Sequence, residues 1–168
     1  MAAIDELLAR HAASLRRFVP PEVLSPRPRL RVAVVTCMDA RIDLFQTLGL
    51  QLGDVHMLRN AGGLVTEDVL RSLVLSQRSL GTEEVMVVQH TNCGLYGLRD
   101  ADLLGRVTAE TGQEPPFTFG GFDDLEASVR QSLEQVRGCV WLPARHYVRG
   151  FVYDVDTGDL TEVALEPA

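Results

Sequence analysis

The residues able to bind a metal or hold a proton stand at the ends of two apolar runs. Residues 32–41 read VAVVTCMDAR, so a β-branched run passes straight into Cys37, Asp39 and Arg41 at alternate positions. Residues 85–88 read VMVV and lead through Gln89 into His90, Thr91, Asn92, Cys93 and Gly94. Short runs of this kind suit strands of a parallel sheet covered on both faces, and ligands in such sheets bind beyond the carboxyl ends of the strands. Two strand ends therefore offer two thiols and one imidazole. Zinc takes thiolate sulfur and imidazole nitrogen, and a set of two cysteines and one histidine leaves a fourth tetrahedral position open, as in catalytic sites. Cys37, His90 and Cys93 are the expected ligands. Asp39 is the one candidate for the fourth position, and it also suits a catalytic role, since Arg41 can clamp its carboxylate with forked donors.

Each of these residues has an ordinary use when taken singly, a cysteine in the core or a histidine satisfied by polar neighbours. The joint pattern argues for a metal, because the chain has only three cysteines and four histidines. The third thiol, Cys139, precedes Val140, Trp141 and Leu142 and reads as core packing. A cysteine-dependent phosphatase loop would need arginine at position 43, where the chain has Asp43, and the Cys-x-x-Cys of a dithiol redox protein is absent.

The elements that must position these groups follow from periodicity. At 168 residues, one α/β domain spanning 1–168 can bury a sizeable core. Ile4, Leu7, Leu8 and Leu15 recur at helical spacing, and the proline-rich stretch 20–28 should run extended, so 1–28 forms a helix and an arm suited to reaching a neighbouring subunit. Residues 42–48 predict a short helix closed by Gly49, and 55–58 a second strand. Arg59 to Gly63 (RNAGG) then falls at that strand's carboxyl end, where paired glycines allow close backbone approach, making Gly62 the expected substrate-binding wall. A crossover helix runs from Thr66 to Gly81. Partial helix is expected over 95–107, then a loop to Gly121. Asp123 with Glu126 resembles a capping box for a helix ending at Gly138, and 149–165 reads as a closing hairpin. Strand, helix, strand, helix, strand implies parallel pairing with right-handed connections. Leu64 and Val65 are candidates for an apolar substrate pocket, and His56 and His146 could shuttle protons by type, though surface histidines are the plainer reading.

Composition removes several classes. All sixteen basic residues are arginine, which excludes P-loop, Schiff-base and pyridoxal lysines. A formal charge of −7 without any basic run argues against nucleic acid. Neither a leader nor a long apolar span is visible, so the expectation is a cytoplasmic protein with no membrane contact.

Cys37-x-Asp39-x-Arg41, then Arg59-Asn60-Ala61-Gly62, then His90-x-x-Cys93-Gly94, in this order, resemble the β-class carbonic anhydrases, in particular the compact prokaryotic type. The resemblance implies a mostly parallel sheet, with a four-stranded core plus a C-terminal antiparallel strand, flanked by helices. It implies one zinc per subunit on Cys37, His90 and Cys93, with Asp39 and Arg41 catalytic, and reversible hydration of CO2 to bicarbonate and a proton by zinc-bound hydroxide. It also implies a homodimer or dimer of dimers in which the N-terminal helix embraces the partner, and a switch in which Asp39 leaves Arg41 for the metal. Carbonyl sulfide and carbon disulfide hydrolases resemble the same family, and a zinc-stabilised regulatory module without turnover is a further alternative. Asn92 stands where related short members often carry aspartate, and Gly63 after Gly62 could open the pocket wall.

Overall fold

The computed structural model describes residues 2–16, 18 and 25–165. Helix α1 (Ala3–Leu15) is followed by β1 (Val32–Cys37), a short α2 (Leu44–Thr47), β2 (Val55–Asn60) and a 3-10 turn over Ala61–Gly63. Next come α3 (Glu67–Leu80), β3 (Glu84–His90), α4 (Asp100–Thr111), α5 (Leu125–Gly138), β4 (Val148–Tyr153) and β5 (Leu160–Val163). The strands hydrogen-bond in the order β2-β1-β3-β4-β5. The first four are parallel, and β5 returns antiparallel to β4 as a hairpin. The mostly parallel architecture with one antiparallel closing strand is therefore as expected.

This order places a topological switch beside β1. The chain leaves β1 toward β2 on one side, then crosses over through α3 to β3 on the other. The crevice at such a reversal, outside the carboxyl ends of the strands, is where open α/β sheets bind ligands.

Alternation along the strands divides the core into two layers. Ala33 and Val35 of β1, with Val85 and Val87 of β3, face Val69 and Leu73 of α3 and Val129, Leu133 and Val136 of α5. Cys139 and Leu142 join that layer, so the thiol outside the motifs is a core residue, as anticipated. Leu73 and Leu133 are almost fully buried, and truncation of either to alanine would cost about 2–5 kcal/mol. On the opposite face Val34 and Val88 pack with Ile42, Leu44, Tyr153 and the two remaining cysteines.

Local chemistry sets the helix ends. Thr66 Oγ1 accepts from the Val69 N–H to start α3, and Gly81 ends it in the left-handed region at φ 78°. For α5 the cap is Asp124, which accepts from the Ala127 N–H, and not Asp123; of two adjacent aspartates, the one at the point where the chain turns into the helix does the capping. Helix α4 starts only at Asp100, because 95–99 are held in turns, with the Gly97 N–H donating to Phe122 O and the Phe122 N–H to Leu95 O. Strand β2 extends past Leu58 to include Arg59 and Asn60, so these two are strand residues and not loop.

Helix α1 has no buried residue, and Ile4, Leu7, Leu8 and Leu15 are each more than half exposed. It does not cover the core of its own chain. Most of the expected proline-rich arm, including Pro20 and Pro21, lies outside the described residues.

Candidate metal centre

Cys37 closes β1 and His90 closes β3, the two neighbouring strands at the switch, and Cys93 follows in the turn after β3. Their ligating atoms all lie within 4.8 Å of one another, and all three residues are buried. The backbone register explains the meeting, since Thr36 sits opposite Val88, so Cys37 and His90, one and two residues further on, close their strands at the same end of the sheet.

His90 is fully buried, and its two ring nitrogens differ. Nδ1 lies 2.8 Å from the Thr91 carbonyl oxygen, which can only accept, so Nδ1 carries the proton. Nε2 then carries a lone pair, yet it has no hydrogen-bond partner. A fully buried imidazole nitrogen with a free lone pair, aimed among two sulfurs, fits a divalent metal better than a packed core. Thr91 is itself held by its N–H to Tyr153 O and by the Val155 N–H donating to its Oγ1, so the closing hairpin fixes the ring's orientation.

The thiols behave as a pair. Cys37 is pulled well below the ordinary thiol range, first by a hydrogen bond from Cys93, with help from backbone N–H groups of Asp39 and Gly62, against the opposing effect of burial. The same hydrogen bond and burial push Cys93 up. One sulfur is thus prepared as a thiolate, and a soft divalent cation taking the place of the shared proton would bind both.

Asp39 stands at the rim of this cluster, its Oδ2 3.9 Å from His90 Nε2. Arg41 grips it: the backbone N–H donates to Oδ1 at 2.9 Å, Nε to Oδ1 at 3.0 Å and Nη2 to Oδ2 at 2.7 Å. The guanidinium holds the carboxyl well below its usual range, so Asp39 is an acceptor only. Of the two positions open to it, Asp39 occupies the one on Arg41. Arg41 Nη2 also donates to Asn92 O at 2.9 Å, tying the β1 loop to the turn that carries Cys93. Asn92 is suited to that turn, adopting φ 55° and donating from Nδ2 to Asp156 Oδ2 at 3.4 Å.

Gly62, at φ 75°, presents its N–H to Cys37, and a Cβ there would collide with Leu95 and press on Leu64. Gly63 does not open the wall. At φ 64°, a Cβ on it would fall 2.9 Å from both Cys37 N and Thr36 C, so the glycine lets the turn lie flat on the strand end. Val65 belongs to the main core, and Gln89 faces α5, donating to Ser132 Oγ at 3.2 Å. A cavity of about 630 Å³ runs from Asn60, Ala61 and Leu64 to Phe117, Phe119 and Ser132, and none of the three ligand candidates lines it. The narrow apolar cleft expected beside the metal is therefore not enclosed by this cavity. His56 and His146 lie toward the amino edge, away from the metal cluster: His56 is on β2 opposite Ala33, and the exposed His146 precedes β4. Sequence reasoning left one residue of the site without a role, Arg59, whose guanidinium reaches the carbonyls of the β1 loop.

A family model described as carbonic anhydrase matches residues 32–113. The chain is 40% identical to β-carbonic anhydrase 1 of Mycobacterium tuberculosis, over 97% of this chain and 99% of that protein. It is 51% identical to a carbon disulfide hydrolase of Acidianus, over 76% of this chain and 74% of that protein. The crystal structure of carbonic anhydrase from Streptococcus mutans superposes with a TM-score of 0.90 at 38% identity, covering 98% of this chain and 99% of that one. The paired strand ends, the buried sulfur and nitrogen donors and the near full-length likeness lead to one conclusion: this chain belongs to the β-carbonic anhydrase family.

Proposed function

We propose that the protein catalyses the reversible hydration of CO2 to bicarbonate and a proton, with one zinc per chain held by Cys37, His90 and Cys93. The observation that carries this is the buried, unpartnered His90 Nε2 among two thiols, beside a carboxylate locked on an arginine. Zinc bound there supplies the Lewis acidity that makes water a nucleophile near neutral pH.

The chain's own groups supply the rest. Asp39, ionised and unable to donate, can only accept a proton-bearing bond from water at the cluster, which turns an oxygen lone pair toward the carbon of CO2. Arg41 keeps that carboxylate charged and off the metal position. Gly62 brings its N–H against Cys37, with Leu64 and Leu95 packed too close for any side chain there, so it walls the site with backbone beside two leucines. With two thiolates cancelling the formal charge of the ion, orientation by Asp39 carries more of the work than at a site of neutral ligands.

The active form is a homodimer or a dimer of dimers. Support comes from α1, a 13-residue helix whose apolar stripe of Ile4, Leu7, Leu8 and Leu15 has no cover in its own chain. The substrate cleft is then closed by the partner. Among the described residues no helix is long and apolar enough to cross a membrane, and the protein works in the cytoplasm, where free buried thiols stay reduced.

A second reading, hydrolysis of carbon disulfide or carbonyl sulfide at the same site, is favoured by the 51% identity to the Acidianus hydrolase. Coverage of nearly the whole of β-carbonic anhydrase 1, against 74% of the hydrolase, favours CO2. Zinc quantification with stopped-flow assays on CO2, carbonyl sulfide and carbon disulfide side by side decides between them. Fast CO2 hydration with little turnover of the sulfur compounds is the expected result; the reverse preference, or zinc-loaded protein without turnover, would overturn it.

A further inference from the structure

We propose that Arg59 is a positioning residue for turnover, which clamps the backbone of loop 37–42 so that Asp39 stays on Arg41 beside the metal position. This rests on the carbonic anhydrase reading above.

Arg59 lies near the end of β2, opposite Thr36 in the parallel register. From there its guanidinium spans the neighbouring loop. Nε donates to Cys37 O at 2.9 Å, Nη2 to Asp39 O at 2.8 Å and Nη1 to Ile42 O at 3.2 Å. Three carbonyls of a six-residue loop thus converge on one planar cation, one at each end and one between. Among the described residues no carboxylate pairs with Arg59, so its donors are spent on this loop. A planar fork of five donors can hold three divergent carbonyls, whereas a lysine ammonium is a compact point charge on a flexible stem.

Asp39 is consequently gripped at both ends. Arg59 holds its carbonyl and Arg41 its carboxylate. Apart from Arg59, the loop backbone is tied by the Met38 N–H to Asn60 O, by the Ile42 N–H turning back onto Asp39 O, by the Arg41 N–H to Asp39 Oδ1 and by the Asp39 N–H to Cys37. Of these only the Met38 bond reaches outside the loop; the others join groups within it and move with it. With Oδ2 already 3.9 Å from His90 Nε2, a small rotation of the loop is enough to carry the carboxylate among the ligand atoms, where it would compete for the open position. Rigid anchoring of the loop prevents this.

The test compares zinc-loaded wild type with Arg59→Lys and Arg59→Gln by zinc content, melting temperature, amide hydrogen exchange across residues 38–42, and kcat and KM for CO2. For Arg59→Gln we expect retained zinc, melting close to wild type, about tenfold faster exchange confined to the loop, and kcat lowered about 10- to 100-fold with KM changed less than about twofold. Arg59→Lys should fall between, since it restores only part of the clamp. Exchange and kcat both matching wild type in Arg59→Gln would refute the proposal. So would joint loss of zinc and melting temperature in both variants, which would make Arg59 a structural residue only. Wild-type protein that fails to hydrate CO2 would sink the functional reading instead, while the exchange comparison would still decide whether Arg59 clamps the loop.

Discussion

His56 and His90 sit on β2 and β3, the two strands that flank β1, and differ in one respect that separates structure from chemistry. His56, near the amino edge, has both ring nitrogens engaged, Nδ1 with Ser76 Oγ at 2.7 Å and Nε2 with Pro26 O at 2.8 Å, and Ser76 Oγ continues to Thr82 Oγ1. His90, at the carboxyl edge, is more deeply buried and has only one nitrogen engaged. A fold gains nothing by burying an imidazole half-satisfied, because an unpaired buried polar atom costs about 1–3 kcal/mol. The deficit at His90 marks a place kept for a ligand, and the completeness at His56 marks a structural link.

That contrast can be broken experimentally, beginning with the largest effect. Replacing His90 with glutamine should abolish stoichiometric zinc and lower CO2 hydration by about a thousandfold or more, since water activation depends on the metal; a variant that keeps both zinc and turnover would erase the distinction. Asp39→Asn should keep zinc and the fold but lose about 10²- to 10⁴-fold in kcat, because the amide is no longer a charged acceptor for Arg41 or for water. Metal analysis on the same sample separates this from ligand loss. His56→Ala should leave zinc and kcat unchanged and cost about 1–3 kcal/mol in denaturant unfolding, by leaving Ser76 Oγ short of a partner.

The smallest effect concerns the amino edge again. Asp54 binds Arg29 Nε and the Gln51 N–H, each at 2.9 Å, and these hold its carboxyl below the usual range. A carboxyl depressed by folding stabilises the native state above its unfolded value of about 3.9, and that contribution fades as pH falls through the folded value. Wild type should therefore melt above Asp54→Asn at neutral pH, with the gap closing below about pH 4. A gap that widens in acid would show that Asp54 is not held by these partners.

The parallel sheet, the crossover helix α3 and the closing hairpin were legible because apolar runs, caps and turn residues act locally. The same holds for the short α2. Cys37, His90 and Cys93 could be chosen because thiols and imidazoles are rare in this chain and these follow apolar runs. The capping residue of α5 was misplaced by one, since Asp123 and Asp124 are chemically equal and only the path of the chain into the helix distinguishes them. Gly63 was misjudged for a similar reason. Its constraint comes from the backbone of β1 and β3 lying against it, which no nearby residue announces.

By itself the sequence determined which groups could do chemistry and that they end strands, because side-chain type and hydrophobic period are properties of short stretches. Tertiary structure alone decided that Thr91 O leaves His90 Nε2 bare, that Asp39 rests on Arg41, and that Arg59 spans the loop from the next strand. Those facts depend on strand register and on angles between elements far apart in the chain, where an ångström changes which hydrogen bond is made.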